Sequence, residues 1–447
     1  MSYLEKKTGI TNKIKSLPNY NTAGSYCFFS QCIQLNSLEN DDFIRAVDLK
    51  KPYDECYKDL LNFAPLLGHE VKHWYDAHST LWGLKLLRNI YTCYNDLYEA
   101  EQSGINTPLP HFNKQLTLYD KIAYIKLPEY YSTSNSNANN SRPWGYSYSA
   151  GIMFSKHGNP TDRNIFFTRF TNKRGELIAR VPFSLCSLLE SSAVAQELHS
   201  KVRIISAIED PVSRQIEKNA LSKKLVNELY DENLVEYSVV AHKISNSFNI
   251  VDPIESYSIA TRITRLILNL TNETIFSLRA ETMLPDSVNT LFTPYNNAIK
   301  HIDYGAVFSL LIDTLYFEFQ RKGTQVSNDN LSELLDVIFT KYTESSLTQV
   351  FEKSKSELNS VCEPVPFSLN KEYIDPALQL GQHLHNKLGL IGEAFLDLDR
   401  EMIPNFILGD GTFINKQGGS LESFESRYIE LTKYFEYLEK FSNACIV

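Results

Sequence analysis

The chain is poor in the features that mark several large functional classes. Its 447 residues carry 44 Lys and Arg against 53 Asp and Glu, a net charge of −9. Nucleic acids and anionic membrane surfaces are held by clustered positive charge, so neither partner is expected. The 7 cysteines, at positions 27, 32, 56, 93, 186, 362 and 445, form no CxxC pair. That pattern argues against a zinc finger or a disulfide framework and for reduced, intracellular thiols. The opening residues lack the apolar stretch of a secretory signal. The most apolar run, residues 306–312, stops at Asp313, far short of the roughly 20 residues that span a bilayer. Cys445 stands one place too near the end for a prenylation signal. Asp410-Gly411 and Gly418-Gly419 bracket a loop without the Lys-Ser/Thr ending of a phosphate loop. These absences together predict a cytoplasmic protein with no membrane partner.

Against them stands an ordinary globular interior, with 43% hydrophobic and 22% charged residues. Apolar positions recur every three or four residues from Leu60 through Ala64, Leu67, Val71, Trp74, Ala77, Leu81 and Leu84, the spacing of an amphipathic helix. Pro65 and Gly68 mark a possible break within it. The fold class expected is mainly α, a helical protein with a small β-rich insert beside this helix. Residues 1–104 form the first helical segment: a packing arm or short helices over 1–50, with a helix start at Asn40-Asp41-Asp42, then helix over 53–103 with a C-cap at Gly104. Residues 105–180 form the insert, with β-like runs at 146–149, 165–170 and 177–180. Its polar tract at 132–140 is expected to be a mobile loop. Residues 181–447 read as a helical array, with periodic segments near 184–205, 213–248, 254–270, 287–300, 304–322, 329–359, 374–398 and 420–443. The pentapeptide Val-Pro-Phe-Ser-Leu at 181–185 recurs at 365–369, but the residues after the two copies differ, so no repeat is inferred.

The helix at 60–84 carries His69-Glu70-Val71-Lys72-His73, an HExxH motif. Side chains four apart share a helix face, so His69 and His73 can both reach one metal ion, with Glu70 placed to take a proton from bound water. Zinc suits two imidazoles and a carboxylate. No third histidine comes at the spacing that would complete the site locally: Ser79 stands there, and His78 lies off the ligand face. Glu99 and Glu101 are the nearest later carboxylates, yet on an unbroken helix Glu99 would sit about 39 Å from His73, so it qualifies only if the chain turns back, for example at Gly83. Glu190 is the better candidate. It is embedded in Leu188-Leu189-Glu190-Ser191-Ser192-Ala193-Val194-Ala195, and a carboxylate among small and apolar neighbours requires a compensating charge. Glu197, two turns on, is placed to orient a histidine, and Asp76 is a second candidate for that task. Candidate oxyanion donors in the insert are Tyr146, Tyr148, His157 and Arg180. His383 and His385 are too close in sequence to share a helix face and are expected to be solvated.

An HExxH helix followed by a Glu on a later helix resembles the gluzincin group of zinc metallopeptidases. The resemblance covers these two short segments. It implies Zn2+ held by His69, His73 and Glu190, with Glu70 as general base. The chain departs from the usual ExxxD second motif, since position 194 is Val, and it places more than a hundred residues between the motifs. The expected function is zinc-dependent hydrolysis of peptide bonds in a protein or peptide substrate. An extended substrate would lie along a strand edge of the insert, the polar loop would serve as a lid over a latent site, and the helical C-terminal region would bind substrate or a regulatory partner. The alternative is a helical interaction or scaffold protein in which the HExxH is structural or vestigial.

Overall fold

The computed structural model describes residues 23–28, 31–48, 52–103, 118, 125–135, 138, 141–154, 158–363, 371–392, 395–397, 402–416 and 421–444. A short hairpin, β1 (Ser25–Cys27) and β2 (Cys32–Leu35), leads into α1 (Asn40–Ala46), α2 (Tyr53–Ser79) and α3 (Leu81–Ser103). The insert supplies β3 (Thr133–Ser134), β4 (Gly145–Phe154), β5 (Pro160–Thr171) and β6 (Leu177–Pro182). Then come α4 (Leu185–Ser206), α5 (Pro211–Leu229), α6 (Val235–Phe248), α7 (Pro253–Leu268), α8 (Asn272–Ser277), α9 (Ala280–Met283), α10 (Phe292–Lys300), α11 (Tyr304–Glu318), α12 (Leu331–Thr343), α13 (Leu347–Val361) and α14 (Lys371–Leu388). β7 (Phe406–Leu408), β8 (Phe413–Ile414) and α15 (Leu421–Ala444) close the described chain. The fold is mainly α, as its periodicity predicts. Among the described residues no helix is long and apolar enough to cross a membrane.

Helix α2 runs unbroken through Pro65 and Gly68. The break comes later, at Thr80, whose backbone is extended. Its hydroxyl donates to the Asp76 carbonyl at 2.6 Å and accepts from the Gly83 amide at 3.1 Å. One side chain thus ends α2 and starts α3. The corner is tight: a Cβ on Gly83 would sit 2.2 Å from the Ala77 carbonyl oxygen, so glycine alone fits there. The chain thus turns at Thr80, ahead of the Gly83 where a turn back was considered, and Gly83 lies within the first turn of α3.

Two sheets flank the helices. The insert folds as an antiparallel sheet in the order β3-β6-β5-β4, its β5–β6 turn closed by Asn172, whose side-chain oxygen accepts from the amides of Arg174 and Glu176. Part of the tract expected to be mobile is ordered: Thr133 and Ser134 are β3, in register with Arg180 and Ala179. Ser136, Asn137, Asn139 and Asn140 lie outside the described residues. The second sheet, β1-β2-β7-β8, joins the chain ends through parallel pairing of Ile33–Leu35 with Phe406–Leu408. Residues 25–27 and 32–35 are therefore strands, where a packing arm or short helices was expected, and the segment before Gly409 contributes β7. Strands of two to four residues are too short to show an alternation.

Three helix expectations also need revision. The segment 213–248 divides at 230–234, where the Asp231 side chain accepts from the Asn233 amide and makes a turn. The segment 329–359 divides at Glu344, which is left-handed with φ 56°. Helices α8 and α9 were not foreseen, being too short to carry a period. The C-cap at Gly104, Pro364 and Pro366 and the second Val-Pro-Phe-Ser-Leu lie outside the described residues. Packing divides the interior in two: one core gathers β1, β2, α2 and α3 with α14 and α15, and the other gathers α6, α7 and α10–α12 against β5 and β6. α2 and α4 meet between them.

Candidate metal centre

Helices α2 and α4 lie antiparallel. The Tyr53 hydroxyl, at the start of α2, donates to the Ile204 carbonyl at the end of α4, while the HExxH segment faces Glu190 near the start of α4. Ser184 caps α4 by accepting from the Ser187 amide, and the Ser187 hydroxyl is returned to the Ser184 amide, which fixes where the helix begins and so which residue meets the histidines. Both imidazoles aim their Nε2 atoms at one carboxylate oxygen: Glu190 Oε2 lies 3.3 Å from His69 and 3.6 Å from His73. One potential ligand atom from each of the three residues falls within 4.8 Å of the others.

The surroundings of Glu190 set it apart from a structural ion pair. It is 1% exposed, and neither oxygen makes a hydrogen bond of acceptable geometry. His73 Nδ1 is buried in the same condition. Buried polar groups are almost always satisfied, so a buried carboxylate with both oxygens unsatisfied, facing two imidazole Nε2 atoms, suits a cation that would complete it; His73 Nδ1 lies on the ring edge away from this point. Burial alone would raise the Glu190 pKa, but His73 and then His69 outweigh it and hold the carboxyl at about 2. Burial would likewise lower the His69 pKa, yet Glu190 and Glu197 hold it well above the ordinary value. The two carboxylates thus favour positive charge beside them, on the His69 ring.

Glu197 is the outer partner. Its Oε2 lies 3.5 Å from His69 Nδ1, leaving Nε2 to face the centre, and its other oxygen is ion-paired with Lys201. Asp76 is engaged elsewhere, paired with buried Lys72 and in the field of Arg265. His73 Nδ1 has no bond from it, so the orienting role considered for Asp76 is not seen. Glu70 is 5% exposed and burial raises its pKa, with the adjacent imidazoles opposing the rise. The β1 strand reaches it directly: a Cβ on Gly24 would lie 2.8 Å from Glu70 Oε1. A cleft of about 550 Å³ opens over these groups, bordered by β1, the first half of α2, the second half of α4 and parts of α5–α7.

Other candidates fall away from this cleft. Glu99 accepts from the Asn95 side-chain amide, and Glu101 is ion-paired with Lys433. Tyr146 and Tyr148 sit on β4 near Asp313, with Lys243 Nζ 4.0 Å from the Tyr148 ring centroid, and Arg180 stacks over Phe167. None of these three lines the cleft, so the sheet of the insert does not supply an oxyanion donor from them. His157 lies outside the described residues. His78 is buried, with Nδ1 2.9 Å from the Trp74 carbonyl oxygen, Nε2 3.3 Å from Gln31 Oε1, and its ring stacked on Trp74. His383 is exposed as expected, but His385 is fully buried beside the Ser79 carbonyl, where burial and then Arg265 lower its pKa to about 4.

Residues not singled out from the sequence also line the cleft. Gly24 and Ser25 bring β1 to its edge, and Tyr237 places its ring centroid 6.5 Å from that of His69. Tyr257 supports Tyr237 by donating to its carbonyl at 3.2 Å. The run Ala23-Gly24-Ser25, small residues ahead of an aromatic strand, was the available signal for close backbone approach. No protein-family model matches the chain, and no curated protein or solved structure matches it either.

Proposed function

We propose that the protein is a zinc-dependent peptidase of gluzincin type, with His69, His73 and Glu190 as ligands and Glu70 as general base. The observation that carries this reading is the buried Glu190 carboxylate, without hydrogen bonds of its own, lying within 4 Å of both HExxH imidazoles. A zinc ion bound there would polarise a peptide carbonyl and acidify the attacking water. The chain's own residues supply the remainder. Glu70, made more basic by burial, takes the proton from the water and returns it to the departing amine. Glu197, backed by Lys201, holds His69 in the tautomer that leaves Nε2 free.

The strand that would support an extended substrate is β1 in place of the insert. Among the described residues it is the end strand of its sheet, paired with β2 alone, and it borders the cleft beside Glu70. A free strand edge offers backbone donors and acceptors to a peptide of any sequence.

The test is elemental analysis of purified wild type, His69→Ala and Glu190→Gln, followed by digestion of unstructured protein substrates. Near one zinc per wild-type chain, lost or strongly weakened in both variants, is expected, with Glu70→Gln retaining zinc and losing turnover by roughly 10²–10⁴-fold. A wild type that takes up no zinc after reconstitution would overturn the reading and leave the helical interaction protein.

A further inference from the structure

The cleft does not end at the metal ligands. From His69 it continues toward the start of α2, between that helix and the later half of α4. Leu66 and Leu61 stand on one wall, Val194 and Leu198 on the opposite wall, and Leu225 and Leu234 close the far side. The antiparallel pairing of the two helices puts these residues in sequence along one groove. Leu61 precedes His69 by eight residues, about 12 Å along the helix axis. An extended peptide advances roughly 3.3 Å per residue, so the groove holds about three residues on that side of the scissile bond.

The charged groups bordering it are already matched. Lys201 is ion-paired with Glu197, which in turn faces His69. Lys224 Nζ lies 3.6 Å from Glu228 Oε1 at the outer rim. What remains facing the groove is uncharged and mainly apolar, with Asn62, Tyr237, Ser238 and Tyr257 as its polar-tipped members. A substrate carrying a charge into it would give up hydration without gaining a partner, while a bulky apolar side chain would gain by leaving water.

We infer that this groove selects peptides with a large uncharged apolar side chain next to the scissile bond, and that Leu61, Leu198 and Leu225 set that preference. The inference rests on the peptidase reading and adds the class of substrate to it.

The experiment uses the zinc-loaded full chain and a set of internally quenched peptides, identical except for Leu, Phe, Ala, Asp or Lys at one position on either side of the cut, with the cleavage site located by mass spectrometry. Leu and Phe peptides are expected to exceed Asp and Lys peptides at least about tenfold in kcat/KM at one position. Leu225→Asp should erase that preference and favour Lys. Leu61→Asp, at a partly buried position on the other wall, should do the same, with zinc content unchanged in both and a thermal melt of each variant separating loss of fold from loss of preference. Cleavage with equal kcat/KM across the set, or a preference that survives both substitutions, would overturn the inference while leaving the peptidase reading intact. A zinc-loaded wild type that cuts none of the peptides and no unstructured protein would remove both.

Discussion

Zinc should raise the Tm of this chain by an amount that depends on its size, and Glu190 should control the effect. A ligand that binds only the folded state adds about 2.7 kcal/mol when present at a hundredfold excess over its Kd. Unfolding entropy of roughly 2.1 cal/mol/K per residue, over 447 residues, is about 0.9 kcal/mol/K, so that stabilisation raises Tm by about 3 °C. Glu190→Gln preserves the volume of a side chain that is 1% exposed but exchanges an anionic ligand for a neutral amide. Partners of a metal site that act only through a ligand carry roughly 10–100-fold in affinity, and a direct ligand carries at least the upper end of that range. At the same zinc concentration the variant is then near half-saturation, its stabilisation falls to about 0.4 kcal/mol and its Tm shift to about 0.5 °C. Scanning calorimetry of metal-stripped protein, with zinc added stepwise and bound zinc counted in parallel, separates these values. An undiminished shift and stoichiometry in Glu190→Gln would refute the assignment of this carboxylate to the metal.

Zinc affinity should rise with pH, because His69 is held above its ordinary pKa by Glu190 and Glu197 and must lose its proton to bind; titrations in buffers of differing ionisation enthalpy should show proton release, and its absence near neutral pH would contradict the ion pair. The same pair sets acid stability in the metal-free chain. Glu190 and Glu197 are both depressed to about 2 from an ordinary 4.5, so their contribution is full above about pH 4.5 and disappears as pH falls toward 2; His69, raised, contributes below about pH 6.5 and loses that contribution as pH climbs through its folded value. Denaturant melts across pH would show both flanks. Gly24→Ala should lower kcat with zinc content preserved, since the added methyl collides with the Glu70 carboxylate and not with a ligand; equal loss of zinc and turnover would place the damage elsewhere. Arg265→Ala should destabilise the chain by about 1–3 kcal/mol for each buried acceptor it leaves unpaired, because Arg265 joins Ser79 to Gly389 from a buried position; urea titration measures it. Replacing Glu197 by Ala should weaken zinc binding roughly 10–100-fold, and adding Val194→Asp should recover part of the loss, read by competition with a chromophoric chelator.

Legibility in the sequence tracks the strength of each local pattern. The helices α2 and α7 each repeat an apolar face over at least four turns, and a period of that length stands out from chance; α4 and α11 instead carry apolar runs buried nearly all round. Asp210-Pro211 and Asp252-Pro253 mark helix starts, since each Asp caps the first turn and each Pro occupies a position with no intrahelical partner for its amide. The β1-β2-β7-β8 sheet was invisible for the opposite reason. Its strands are brief, and the pairing that orders them connects positions 33 and 406, a relation with no local trace. The burial of His385 was hidden in the same way, because its environment is made by Ser79 and Arg265 from other helices.

The centre shows how a departure from a motif can be consistent with the same chemistry. Four and seven residues beyond Glu190 both return to about the same face of α4, since seven residues complete nearly two turns. A carboxylate at either place can therefore approach a histidine of α2, and in this chain it is Glu197 that comes within 3.5 Å of His69 Nδ1. Placing it one turn farther out leaves position 194 open to Val, which forms the first rung of the aliphatic groove. A carboxylate at 194 would orient His69 but would also put a charge beside the scissile bond. The shifted position satisfies both demands, because Glu197 is neutralised by Lys201 where the groove reaches its polar rim. In the sequence alone, Val194 reads as the loss of an orienting group. On the peptidase reading proposed above, it is the residue that would let metal orientation and apolar substrate binding share one helix face.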